Sequence, residues 1–575
     1  MSVDFLSKKW RRCLRISTTL SFLLLTVALI MAYRSPVAGY EYSLYQSTPA
    51  VFWAAIIFCL LNGMLLFHAY YGRSRTWALG LFEVLLAQFV FLTLYLYRGF
   101  IYIDRFDSQS YVGLAKDIVI FGHFDPSNFY PAISVSMAAT GEVTGQSMVL
   151  ITQLWPAIFL VAYTVGLLCW SRSISGERQY VVATMLASVP ILFAWFTTTI
   201  FHETLMALML PFFLFLLWRG KNDIRFTALA GVMIVLFTIG HLLVAIGVLV
   251  SLLIIFSTES VMKRGTPRTV SFLFILFGLG VLGVWIYSNA SIVNGLRAVT
   301  EQLLGMIEGQ STIGTAQAVA SKTGIWFFLQ SVVTCTIDDL IFALLALWAG
   351  YIILRSGWRS NPLTPILACL IGGELFIAVL MALTFAHNPT RMINLNFIMI
   401  FSVPLIGYLL CRSRRNARTV KSWLITGLLL FCVVTTVFTA YQDPLMNTPN
   451  SGVTNSEYKG MGWFFYSREG GSTSYLMQTN PWRYAEVMYG SYYARDHPDI
   501  QTNIAPTTDH FASFLEANDT SRMNYLVFAK YDVVAYTVVW SNLDRFNAHD
   551  LNMLAASSSA DAVYVNRGVS VYAHT

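Results

Sequence analysis

The chain has 575 residues, of which 56% are hydrophobic and only 12% charged, with a net charge of +7. A soluble domain carries about a quarter charged residues, so a purely water-soluble chain is excluded, and the length of the unbroken apolar runs excludes a membrane β-barrel in favour of helices. The charge excess divides into +12 over residues 1–441 and −5 over 442–575, so it follows the apolar region and marks no nucleic-acid partner; the seven cysteines form neither a CxxC pair nor a disulfide framework.

The first apolar run, 14–33, follows Lys8, Lys9, Arg11, Arg12 and Arg15, lacks a small-residue cleavage site and reads as a retained helix. Further runs of spanning length fall at 50–71, 77–97, 146–170, 180–201, 204–218, 226–239, 242–258, 269–288, 335–354, 364–386, 392–411 and 422–441. The stretch 226–256 has bases at both ends and is therefore read as two helices turning at Gly240 and His241. The expected fold is an α-helical polytopic membrane protein with about 13 transmembrane helices over 1–441, its first two helices (1–75) an added N-terminal element, followed by a small α/β domain over 442–575.

Alternating the faces from a cytoplasmic N-terminus places 22 of the 29 Lys and Arg before the tail on one side. That pattern predicts a multi-pass protein of the plasma membrane with an extracellular C-terminal domain. The long outward loops, 98–145 and 288–325, are expected to carry helices along the interface, whereas the outward turns at His202-Glu203, Gly240-His241 and 387–391 are tight. In the tail, strands are predicted at 525–528 and 533–539, a terminal hairpin over 563–572 turning at Asn566, Arg567 and Gly568, and helices near 457–466 and 545–556. Asn289 and Asn518 begin Asn-x-Ser/Thr sequences on the predicted outer face.

The polar residues that stand out all fall on that face. Asp104 and Asp107 are three residues apart where the third helix leaves the membrane, on one face if the stretch is helical. They could supply a general base or hold a divalent cation, Mg or Mn, or could form a solvated charge cluster with Arg105. Glu203, His202 and His241 sit at membrane-level turns, where they could shape a pocket or serve as satisfied structural groups. Arg391 breaks the positive-inside pattern and has the planar fork suited to a phosphate, or it snorkels to the interface. Glu83, His68 and Glu374 are expected to pair within the bundle, and Asp338 with Asp339 to begin the tenth helix.

The order of these parts resembles the polytopic glycosyltransferases of the GT-C superfamily. Asp107-Ser-Gln-Ser-Tyr111 followed by Phe129-Tyr130-Pro131 is similar to that group's acidic first loop and following Tyr-Pro, and Arg391 to its late, phosphate-contacting arginine. Gly39 to Pro49 with Trp53, Asp509-His-Phe511 and the 563–572 stretch resemble uncharacterised archaeal members. The resemblance implies transfer of a sugar from a polyprenyl-phosphate carrier to a glycan, lipid or protein acceptor on the outer face, amid membrane lipids. Asp107 would be the base, Asp104 its neighbour or a cation ligand, Arg391 and His241 would bind the carrier phosphate, and Glu203, His202, Tyr111 and Tyr130 would line the pocket. A transporter or flippase of a lipid-linked glycan would use the same arginine without a base.

Overall fold

The computed structural model describes residues 8–105, 107–190, 194–262, 268–294, 297, 324–383, 396–415, 420–469, 471–476, 479–501, 503–504, 510–516 and 523–574. Among these, seven helices are long and apolar enough to cross a bilayer: Lys8–Tyr33, Ala50–Tyr70, Met148–Ile174, His202–Gly220, Leu242–Val261, Ile325–Arg355 and Val420–Thr439. Shorter apolar helices lie at Trp77–Leu92, Ile224–Gly240, Phe272–Ser288, Thr364–Leu383 and, after a π-turn, Val403–Arg415. The chain is a multi-pass membrane protein whose helices satisfy their own backbone groups, as a hydrocarbon solvent requires. Close crossing of Ala50–Tyr70 and Trp77–Leu92 depends on Gly63, where an added Cβ would lie 2.7 Å from the Gly80 carbonyl oxygen.

Two helical boundaries depart from the sequence reading. The run 180–201 forms a helix only over Arg178–Ala187, and a separate single turn follows at Ala194–Thr197. Pro190, just beyond the helix, disfavours helical backbone at the residue before it. The tenth helix begins at Ile325, so Asp338 and Asp339 lie in its interior and not at its start. Both are buried and tied across the bundle: Thr435 donates to Asp338 (2.5 Å) and the Asn396 amide to Asp339 (3.1 Å). Glu83 pairs within the bundle, accepting from the Asn62 amide at 2.9 Å on both oxygens, and Glu374 accepts from the Ile398 N–H at 3.1 Å.

The first long loop carries two helices, Asp107–Phe121 and Pro131–Thr144. Most of the second, 298–323, lies outside the described residues. Among the described residues, the C-terminal part holds a five-stranded sheet, with strands β1 (Gly471–Tyr475), β2 (Asn503–Ile504), β3 (Met523–Ala529), β4 (Ala560–Val565) and β5 (Val569–His574) in the order β2-β1-β3-β5-β4. β1 runs parallel to β2 and β3, whereas β5 is antiparallel to β3 and β4 and closes the terminal hairpin. Helices Asn455–Ser467 and Ala548–Ala556 match the predicted ones. The stretch 533–539 is helical instead of a strand. Asp532 accepts the Ala529 N–H at 2.8 Å and starts a turn directly after β3, which puts Ala535, Tyr536 and Val539 on the buried side.

The residues between the first two helices join the two parts of the chain. Glu41, half-buried, forms an ion pair with the buried Arg98 (2.5 Å), whose other nitrogens donate to Thr48 and to the Ser35 carbonyl. The Asn450 amide donates to the Glu41 carbonyl (3.1 Å), Ser43 donates to Asp443, and Tyr45 donates to the Val437 carbonyl (2.9 Å). Tyr102 and Val453 then pair as an antiparallel bridge, which lays the start of the first loop beside the strand leading to the tail.

Candidate active site

The segment after Arg98 is pinned before it becomes helical. Arg105 is buried, bonded to both oxygens of Glu457, to the Tyr484 hydroxyl (3.1 Å) and to the Gly452 carbonyl (3.2 Å), with the Tyr531 ring 4.3 Å from its guanidinium carbon. Asp104 is 1% exposed and accepts from Ser108 at 2.5 Å. Asp104 and Arg105 are therefore internal groups and not members of a solvated charge cluster. Asp107 starts the Asp107–Phe121 helix with its side chain 26% exposed, and Arg483 of the Pro481–Tyr489 helix donates to its Oδ1 at 2.9 Å.

Tyr111, one turn after Asp107, lies on the same face of the helix. Its ring stacks on His202, with centroids 3.9 Å apart and planes at 23°. Tyr130 stands at the entrance to Pro131–Thr144, 6.0 Å from the His202 ring and 4.4 Å from that of His241. His241, at the junction of Ile224–Gly240 and Leu242–Val261, places its Nε2 3.3 Å from Glu203 Oε1. The fold thus gathers Tyr111, Tyr130, His202, Glu203 and His241 into one cluster drawn from four chain segments. Glu203 and His241 are both buried, as is the His241 Nδ1, which has no hydrogen-bond partner among the described residues.

Arg391 and its neighbours from 387 onward lie outside the described residues. As metal ligands, Asp104 and Asp107 are engaged separately, one by the Ser108 hydroxyl and the other by the Arg483 guanidinium. Among the described residues no three His, Cys, Asp or Glu side chains converge as a metal site.

The residues that sequence reasoning missed come from the tail. Besides Asp107, Arg483 contacts Ser110 and lies 3.5 Å from Glu486, which also accepts from Ser110. Burial pushes the Glu486 carboxyl above its usual range, against the opposing pull of Arg483. Further along the helix, Lys116 donates to the Met488 carbonyl (3.1 Å) and Asp117 accepts the Ser491 and Tyr492 N–H groups (2.9 and 3.1 Å); beyond the helix end, Asp125 pairs with Arg495 (2.6 Å). Gly113 permits the approach: a Cβ there would meet Ser491 Oγ at 2.7 Å and Glu486 Cβ at 2.9 Å. The only sequence signal for these partners is their residue type.

No protein-family model and no curated protein sequence matches the chain. Among solved structures it is similar to ArnT from Cupriavidus metallidurans bound to undecaprenyl phosphate, at 12% identity over 87% of this chain and 99% of that one, with a TM-score of 0.47. It is similar to the Archaeoglobus fulgidus oligosaccharyltransferase in complex with Zn and sulfate, at 14% identity over 85% and 73% of the two chains, with a TM-score of 0.47. A third similarity is to the arabinofuranosyltransferase AftD from Mycobacteria, at 14% identity over 87% of this chain and 40% of that one, again with a TM-score of 0.47.

Proposed function

We propose that the protein is a membrane glycosyltransferase of the GT-C kind that takes a sugar from a polyprenyl-phosphate carrier. The observation that carries the reading is the meeting of first-loop residues Tyr111 and Tyr130 with His202, Glu203 and His241, beside a partly exposed Asp107. In this reading Asp107 accepts the proton of the acceptor hydroxyl or amide as that group attacks the anomeric carbon. The anomeric carbon–oxygen bond to the carrier breaks, and its electron pair leaves with the polyprenyl phosphate. The His241–Glu203 pair and the flat faces of Tyr111 and Tyr130 shape the sugar pocket, His241 having a nitrogen to offer a phosphate or sugar oxygen. Arg391 keeps the role drawn from the sequence resemblance, stabilising the charge that grows on the departing phosphate.

The 1–441 module would then hold the donor, with 442–575 as the extracellular domain beside it and a glycan, lipid or protein as acceptor. Asp107→Asn tests the reading in purified protein with a mixture of polyprenyl-phosphate sugars. Transfer should collapse while carrier lipid still binds; undiminished transfer would remove Asp107 as base, and carrier translocation without transfer would favour a flippase.

A further inference from the structure

We propose that Arg483 is a positioning residue for Asp107, so that the C-terminal part of the chain completes the catalytic end of the bundle. The inference rests on the reading of Asp107 as base. Arg483 spreads its fork across two helices: one nitrogen donates to Asp107 Oδ1 and the other to Ser110, with Glu486 one turn further along its own helix. The guanidinium is therefore fixed by three groups, and it in turn fixes the carboxylate. Asp107 opens its helix directly after the loop, where the backbone alone restrains a side chain least.

The pair is not needed to hold the two parts together. The Lys116–Met488 contact and the close approach at Gly113 fasten the same two helices, and the Asp117 and Asp125 contacts hold the first loop to the following helix, Ser491–Asp496. Both members of the Asp107–Arg483 pair are partly accessible, with side chains 26% and 30% exposed, against 1% for Arg105 and Glu457 and 7% for Asp125 of the pair with Arg495. Partly exposed ion pairs add little to stability, whereas a base displaced by about 1 Å loses on the order of 100-fold in rate. Geometry, exposure and the cluster next to Tyr111 point to orientation of the carboxylate as the purpose of the contact.

The experiment uses the full-length protein with polyprenyl-phosphate sugars as donors and compares Arg483→Ala, Arg483→Lys and Arg495→Ala. Arg483→Ala should lower kcat on the order of 100-fold with the donor KM little changed. Added guanidinium chloride, set against sodium chloride at equal ionic strength, should restore part of that rate in Arg483→Ala and none in Asp107→Asn. Arg483→Lys should fall between, since lysine keeps the charge but loses the fork. Arg495→Ala, which removes a docking pair remote from Asp107, should leave kcat unchanged. Wild-type rates in Arg483→Ala, or an equal loss in Arg495→Ala with no guanidinium rescue of Arg483→Ala, would overturn the assignment and leave Arg483 a docking contact. A wild-type protein that transfers no sugar overturns instead the reading of Asp107 on which it stands.

Discussion

Replacing Glu457 with Met strands the Arg105 guanidinium in a site where both side chains are 1% exposed. Burial alone opposes the charge on Arg105, but Glu457 and the surrounding tyrosines more than offset it, so the guanidinium is held charged more firmly than usual. Loss of one partner from such a pair is worth about 3–5 kcal/mol, whereas exchange of both for apolar groups of similar volume is far milder. Arg105→Met and Glu457→Met should each lower the unfolding midpoint on the order of 10 °C, and the double variant should be more stable than either. The midpoint is read in detergent by heating followed by a brief trypsin pulse and detection of the released C-terminal fragment. Single variants that shift it by less than about 2 °C, or a double variant as unstable as the two losses added, would refute the claim that this pair locks the first loop to the tail.

Gly113→Ala pushes a methyl group toward Ser491 Oγ and Glu486 Cβ. It should weaken docking by about 1–3 kcal/mol, seen as earlier protease release of the fragment; unchanged release would deny the close approach. Glu203→Gln removes the charge facing His241 and should reduce transfer on the order of 10-fold or more without lowering the unfolding midpoint; a midpoint shift with full activity would make the pair structural. Asp532 is fully buried, and burial pushes its carboxyl up to about 6. The native state then holds the proton more tightly than the unfolded chain, whose aspartate titrates near about 4, so stability falls as pH rises from about 4 to about 6 and levels off above. Asp532→Asn should lose this falling component; midpoints that track the wild type across that range would contradict it.

Much of the architecture was legible because lipid imposes a simple rule on sequence, a long apolar run bounded by charge. That rule located the seven long apolar helices among the described residues but overran at 180–201, where composition stays apolar beyond the helix end before Pro190. It also started the tenth helix too late, because Asp338 and Asp339 look like a boundary until Thr435 and Asn396 are found beside them. In the tail, alternation at 533–539 suggested a strand, yet the capping carboxylate of Asp532 decided for helix. His202, Glu203 and His241 could be singled out from their place at turns between apolar runs, and Tyr111 and Tyr130 from the resemblance of the first loop. Their meeting, and the role of Arg483 toward a residue 376 positions earlier, depends on how the helices and tail pack, which no local pattern carries.

The Glu41 to Tyr45 segment bears on how such a chain is made. Its partners Asp443, Val437 and Asn450 are translated about 400 residues later. At roughly 5–20 residues per second the ribosome needs about 20 to 80 s to supply them. Until then Ser43, Tyr45 and the Glu41 carbonyl lack these hydrogen-bond partners, so the young protein carries an open seam that its own last quarter closes. Assembly finishes where synthesis finishes, and a prematurely terminated chain stays marked as incomplete by that seam.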